Sequence, residues 1–197
     1  MKRRDFLAWS AIATASGMRN TVASFSPPDL SIVGANTALS GYGLYEAIQT
    51  LGELGFHTIE LHPMGILGPT PGQFPGFHFN LISDNEKRKI QKLLKSFRHV
   101  TTHLPYVDLN FFSRFAPIAD FSNQQLKISM EATSFLGAEL GVIHVTRPTG
   151  GTLKQSWKMI IQQFRNWGNI AAQGNFRLAI ETGYPQSVRD FVQLIKE

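Results

Sequence analysis

The 197-residue sequence contains no cysteine. This absence excludes disulfide bonds, thiolate metal ligands and a cysteine nucleophile. The sequence also lacks a run of about 18 uncharged apolar residues, so it predicts no membrane-spanning helix. Neither a G-x-G-x-x-G nor a Walker sequence follows a predicted strand, which leaves a nucleotide-binding open sheet without its usual phosphate loop.

Little net positive charge remains beyond the amino terminus. The formal net charge is +5, but four basic residues, less one aspartate, supply +3 of it within the first 23 residues. The remaining +2 is close to neutral, whereas a nucleic-acid-binding domain has a concentrated basic face. We interpret the Lys/Arg run at 87–98 as the solvated face of a helix, and the sequence predicts no nucleic-acid partner.

Residues 1–23 resemble a twin-arginine export signal. The stretch "RRDFL" has the paired arginines, one variable residue and the following Phe-Leu, and an apolar, small-residue core leads to a cleavage site near Ala23. The alternative is a basic terminus before an ordinary helix. The resemblance implies a periplasmic or otherwise exported protein with its mature domain at 24–197. Proteins that use this route are often exported after a cofactor has been inserted.

Apolar periodicity in the mature chain predicts five strands that alternate with five helices. The predicted strands are 30–35, 57–62, 99–106, 142–146 and 177–181, and the helices are 43–54, 83–97, 123–140, 154–172 and one beginning after Ser187. Gly141 is expected to cap the third helix, and Phe191, Leu194 and Ile195 to face inward from the last. Alternation at this spacing indicates parallel β/α units.

Residues suited to ligand binding follow four of the five predicted strands. Glu60 with His62, then His103, His144 and Glu181 stand at the carboxyl ends of strands two to five. In a (β/α)8 barrel, functional groups collect at these ends. The sequence therefore favours an α/β fold of the TIM-barrel type over an open doubly wound sheet.

Glu181 raises a specific question, because it closes the apolar strand "RLAIE". We expect its carboxylate to be buried, and an unpaired buried charge is costly. An arginine such as Arg147 or Arg177, or the start of a neighbouring helix that the carboxylate caps, would supply a partner.

Four stretches together resemble the xylose isomerase-like TIM-barrel superfamily, which includes sugar phosphate isomerases and epimerases and endonuclease IV-type AP endonucleases. "GFHTIELHP", "THLPYVDLNFFS", "LGVIHVTRP" and "LAIETG" are similar to strands two to five of that fold, over roughly residues 30–185. A complete barrel has eight strands, so the resemblance implies an incomplete barrel with about five of eight units. We expect the reading frame to continue for about 80 to 110 residues.

The resemblance implies that Glu181 binds a divalent metal (Mn, Mg, Co or Zn) and takes part in proton transfer through an enediolate. It implies that His103 and His144 contact a sugar substrate, and that Glu60 either contacts the substrate or supports the residues that do. In the DNA-repair branch the two histidines would instead be zinc ligands of a trinuclear site. Relatives often have Asn where this chain has Thr182, which we interpret as a variation that still orients the carboxylate.

Three functions remain open. The leading hypothesis is an exported, metal-dependent isomerase or epimerase of a small, unphosphorylated carbohydrate, or a related lyase. The second is an AP endonuclease-like phosphodiesterase, and the third is a catalytically inactive sugar-binding barrel. The other histidines, His57, His78 and His99, suggest no role, and His62 is either a mouth residue or an ordinary loop histidine.

Overall fold

The computed structural model describes residues 29–39, 41–64, 76–144, 147–181, 184–185 and 187–197. The proposed signal at 1–23 and Thr182 lie outside these residues. Within them, a 3-10 helix at Leu30–Ile32 precedes alternating strands and helices. The strands are β1 (Gly34–Asn36), β2 (Thr58–Leu61), β3 (His99–His103), β4 (Leu140–His144) and β5 (Arg177–Glu181). The helices are α1 (Leu44–Glu53), α2 (Asp84–Leu94), α3 (Ala116–Leu136), α4 (Leu153–Gln173) and α5 (Val188–Lys196).

The strands form one parallel sheet in the order β1-β2-β3-β4-β5. Each strand pairs with the next along the chain, because each helix returns the chain to the amino end of the sheet. This is the arrangement of consecutive β/α-barrel units, whose strands all end at the same mouth. None of the helices within the described ranges is long and apolar enough to cross a membrane.

Alternation along the strands separates a packed face from a polar face. Ile59, Leu61 and Ile143 are fully buried among the side chains of the helices. The intervening residues point to the opposite face, where register pairs Asn36 with Glu60 and His144 with Glu181. The interior face at the mouth is therefore built from polar side chains.

Helix α2 begins as the sequence predicts. The Ser83 Oγ accepts a hydrogen bond from the Glu86 N–H at 3.3 Å, and the Glu86 Oε2 accepts one from the Ser83 N–H at 2.8 Å. This capping box satisfies two free donors at the helix start. The inner side of the helix is apolar, with Ile90 and Leu94 buried.

The third helix differs from the prediction at both ends. It spans Ala116–Leu136 and ends at Gly137, whose φ of 71° is the left-handed conformation that glycine adopts easily. Gly141 lies inside β4 instead, where a Cβ would stand 3.1 Å from Leu104 Cδ1. Gly141 is thus required by packing. A capping pattern in the sequence cannot distinguish a glycine required by packing from one that ends a helix.

Three smaller differences concern strand ends and the last helix. The first strand begins only at Gly34, because Leu30–Ile32 form a 3-10 helix that Asp29 caps. The third strand ends at His103, ahead of Pro105, which has no N–H to donate to a ladder. In α5, Leu194 is buried, but the adjacent Ile195 is 60% exposed and does not face inward as predicted.

Candidate metal centre

Two imidazoles and a carboxylate converge at the mouth of the sheet. The Nε2 atoms of His103 and His144 lie 3.3 Å apart. The Glu181 Oε2 lies 3.1 Å from the His144 Nε2 and 3.4 Å from the His103 Nε2. All three residues end adjacent parallel strands, β3 to β5, so the backbone itself brings their side chains together.

The His103 imidazole presents a bare nitrogen to this cluster. Its Nδ1 lies 3.2 Å from the Leu104 carbonyl oxygen, which can only accept, so this hydrogen bond requires a proton on Nδ1 and, in the singly protonated ring, leaves Nε2 bare. The Nε2 then carries a lone pair directed toward His144 and Glu181. This is the tautomer that a metal-binding histidine needs.

Burial has a larger effect on the pKa of His144 than the neighbouring Glu181 carboxylate has. Desolvation is the main cause that lowers the pKa of His144, and the positive charge of a protonated His103 lowers it further. The Glu181 carboxylate acts in the opposite direction and raises it. The net direction favours the neutral imidazole, which is the form that binds a cation.

The donor set fits a divalent cation. One ligand atom from each of the three residues lies within 4.8 Å of the others. Two imidazoles and one carboxylate are ligands that zinc and related metals accept. Among the described residues, the Glu181 carboxylate lies within 3.4 Å of the two histidine nitrogens and makes no contact with a lysine or arginine side chain.

The structure corrects one premise and groups residues that the sequence treats separately. The Glu181 side chain is 49% exposed, so its charge is not buried as predicted, because it stands at the end of the outermost strand, β5. His103 and His144 lie beside Glu181, which is the arrangement expected of the multi-zinc alternative as well as of a single metal site. Their roles toward a substrate stay a prediction.

Glu60 lies in a second cluster, with Asn36 and His62. The Glu60 Oε1 accepts a hydrogen bond from the Asn36 Nδ2 at 2.7 Å. The Asn36 Oδ1 accepts from the Ala38 N–H and lies 2.7 Å from the His62 Nε2. The His62 ring stacks on the His103 ring with centroids 5.2 Å apart, so the two clusters touch.

His62 therefore lies at the mouth of the sheet, and it is not an ordinary loop histidine. It is buried, with 4% of its surface exposed, and desolvation lowers its pKa to about 4, with a smaller contribution from His103. The remaining histidines lie elsewhere. His99, at the amino end of β3, pairs with Glu139 at 2.9 Å.

Sequence reasoning missed Asn36 and Tyr106. The Tyr106 ring packs on His144 with centroids 3.9 Å apart and also lies 5.5 Å from the His103 ring. It forms an aromatic wall beside the three ligand atoms. Its signal is present in "THLPY", where it follows His103 by three residues, but a loop position gives no direction for the ring. Asn36 ends a strand of three residues, too short for periodicity to define.

Residues 48–197 match the family model described as xylose isomerase-like TIM barrel. The match covers more than half of the chain, so the chain belongs to this family. The predicted family and the predicted partial α/β barrel are confirmed. No curated protein shows significant sequence similarity to the chain.

Solved structures with a similar fold include sugar epimerases. A D-psicose 3-epimerase determined in the presence of D-fructose has a TM-score of 0.63 and 15% identity, over 83% of this chain and 58% of that chain. D-psicose 3-epimerase with D-tagatose, from Clostridium cellulolyticum, has a TM-score of 0.61 and 14% identity, over 83% and 60%. The IOLI protein with a bound zinc atom has a TM-score of 0.61 and 16% identity, over 83% and 57%. The chain thus spans less than two thirds of each, and identities this low show the fold alone.

Proposed function

We propose that the protein is a divalent-cation-dependent isomerase or epimerase of sugars, with His103, His144 and Glu181 as cation ligands. The observation that carries this proposal is the convergence of two imidazole nitrogens and one carboxylate oxygen at the mouth of the barrel. Family membership supports sugar chemistry, since 3-epimerases of D-psicose are among the proteins with this fold.

A bound divalent cation would polarise a carbonyl or hydroxyl oxygen of the sugar. Glu181 would accept the proton of the adjacent C–H group. Its Oε2 faces the two histidines, and the half-exposed carboxylate leaves Oε1 open to a substrate. A carboxylate placed in this way acts as a general base, and its protonated form can return the proton on the same face to the neighbouring carbon, which gives isomerisation. Epimerisation would require a second proton donor on the opposite face of the enediolate.

The remaining site residues would orient the sugar. Tyr106 and His144 form a continuous aromatic surface, and flat apolar faces pack against the C–H groups of a sugar ring or chain. The hydroxyl group of Tyr106 offers a donor and an acceptor for sugar hydroxyls. We also propose export by the twin-arginine route, which favours an unphosphorylated substrate.

The proposal is tested by proton exchange. The protein is incubated in D2O with D-psicose, D-tagatose or D-fructose and with Mn²⁺, Co²⁺, Mg²⁺ or Zn²⁺, and NMR follows deuterium entering the carbon next to the carbonyl. We expect cation-dependent deuteration of at least one sugar, with loss of the exchange in Glu181→Gln. Sugar binding with no exchange under any of these conditions would contradict the enzyme proposal and favour the sugar-binding barrel.

A second function, an AP endonuclease-like phosphodiesterase, is favoured by one observation. The imidazole-rich ligand set suits zinc better than magnesium. More than one zinc per chain, with cleavage of a duplex at an abasic site and no sugar exchange, would support this function over the first.

A further inference from the structure

The His62 ring is held by a hydrogen-bond network whose direction can be assigned. The Ala38 N–H can only donate, so the Asn36 atom that faces it at 2.7 Å is the carbonyl Oδ1. The Asn36 Nδ2 then faces Glu60, as a donor. Because Oδ1 accepts, the His62 Nε2 that lies 2.7 Å from it carries the proton.

The assigned tautomer leaves His62 Nδ1 as a bare acceptor. This atom is buried and has no hydrogen-bond partner among the described residues. A buried histidine with one nitrogen unpaired gains less from hydrogen bonding than a fully satisfied one. The position is therefore poorly explained by stability alone.

The contact that His62 does make is with a proposed cation ligand. Its ring lies nearly parallel to the His103 ring, at an interplanar angle of 22°. The His144 and Tyr106 rings also border His103, at 5.0 Å and 5.5 Å. Of the three neighbours, His62 is fixed through Asn36 and Glu60 to β1 and β2.

We propose that His62, held by Asn36 and Glu60, is a positioning residue that keeps the His103 imidazole directed at the cation. The inference rests on the proposed metal site. The His103 side chain has two free torsions, and its own hydrogen bond to Leu104 is a long one of 3.2 Å. A rigid ring against its face removes the alternative orientations of Nε2. Outer residues that orient a ligand typically change metal affinity about 10- to 100-fold.

The test measures Zn²⁺ affinity by competition with a chromophoric chelator, for the wild type and four variants. His62→Ala removes the ring, His62→Phe keeps a flat ring without the Nε2–H, and Asn36→Ala removes the anchor without touching His103. His99→Ala is the matched control, because His99 lies on the same strand as His103, β3, but at its opposite end. Thermal unfolding of each variant reports whether it folds.

We expect His62→Ala to bind Zn²⁺ about 10- to 100-fold more weakly than the wild type. His62→Phe and Asn36→Ala should lie between these two, and His99→Ala should match the wild type. A second readout is the ¹⁵N spectrum of the imidazoles, in which His62 should show an Nε2–H and His103 an Nδ1–H.

Wild-type affinity in His62→Ala and Asn36→Ala would overturn the inference while leaving the metal site intact. If His62→Ala does not fold, His62→Phe and Asn36→Ala decide in the same way. A wild-type protein that binds none of Zn²⁺, Mn²⁺, Co²⁺ and Mg²⁺ would contradict both this inference and the proposed function, so the two failures are distinguishable.

Discussion

At the scale of single residues, the chemistry depends on Glu181, which has two separable roles. As a ligand it contributes charge next to the two histidine nitrogens. As a general base it accepts a substrate proton. Glu181→Gln keeps the volume and removes both the charge and the base.

We expect Glu181→Gln to weaken cation binding, so that excess cation restores occupancy. If Glu181 is also the base, turnover with cation bound stays at least about 100-fold below the wild type, in line with general-base contributions. Metal content and turnover are measured on the same samples, with Glu139→Gln, an exposed glutamate at the far end of the sheet, as control. Full recovery of turnover with excess cation would limit Glu181 to the ligand role.

The lowered pKa of His62 predicts that the protein loses stability in acid. Folding lowers its pKa from 6.5 to about 4, so the unfolded chain takes up a proton at a higher pH than the folded chain. Stability is fully present above pH 6.5 and falls as the pH approaches 4. At pH 5 the loss is about 2 kcal/mol. Within the part of the chain that the structure describes, His62 faces the stacked His103 and, through Asn36, Glu60.

Urea unfolding between pH 5 and pH 8 measures this loss. His144 has its pKa lowered as well and acts in the same direction, so the informative quantity is the difference between the wild type and His62→Phe. The variant should lose stability less steeply as the pH falls. Parallel pH curves for the two proteins would contradict the assignment.

At the scale of elements, the sequence predicts which segments form and errs where packing decides. Apolar periodicity predicts the five strands and the five α-helices of the described chain, although it displaces the third helix and misses the 3-10 helix at Leu30–Ile32. The prediction that Gly141 caps a helix is wrong, because only the folded structure reveals that Leu104 and Phe176 leave no room for a Cβ at this position. The exposure of Glu181 likewise depends on which strand is outermost. Strand order could be expected, but not the direction of individual side chains such as Tyr106.

Gly141 offers a prediction at this scale. In Gly141→Ala the new methyl group would stand 3.1 Å from Leu104 and 3.3 Å from Phe176, two residues buried in the same cluster. We expect a loss of about 1–3 kcal/mol in the free energy of unfolding. Gly168→Ala is the matched control, because it lies within α4 with nothing within 4 Å of its Cβ.

The control should gain up to about 1 kcal/mol from the higher helix propensity of alanine. Urea denaturation of both variants measures the two changes. Equal stability of Gly141→Ala and the wild type would show that Leu104 and Phe176 can move away from β4 without cost, contrary to the packing described.

At the scale of the whole molecule, the two polar clusters divide the mouth of the sheet between them. Asn36, Glu60 and His62 join β1 and β2, while the three proposed ligands join β3 to β5. The stacked pair of His62 and His103 connects the clusters. The site is therefore assembled by the parallel fold itself, from residues up to 145 positions apart in sequence, between Asn36 and Glu181.

Export is a prediction for the whole chain. Replacing Arg3 and Arg4 with lysines should leave the precursor in the cytoplasm, because the paired arginines are the recognised feature of the signal. Fractionation of cells that express either form measures the outcome. Transport of the variant at the wild-type rate would contradict the interpretation of residues 1–23.

The most direct test of the account is the zinc content of the protein and its variants. Inductively coupled plasma mass spectrometry after dialysis against micromolar Zn²⁺ should find bound zinc in the wild type and in the control His99→Ala. His103→Ala, His144→Ala and Glu181→Gln should each lose it, since each removes one of three converging ligand atoms. Equal zinc in the wild type and all three variants would contradict a cation site built from His103, His144 and Glu181.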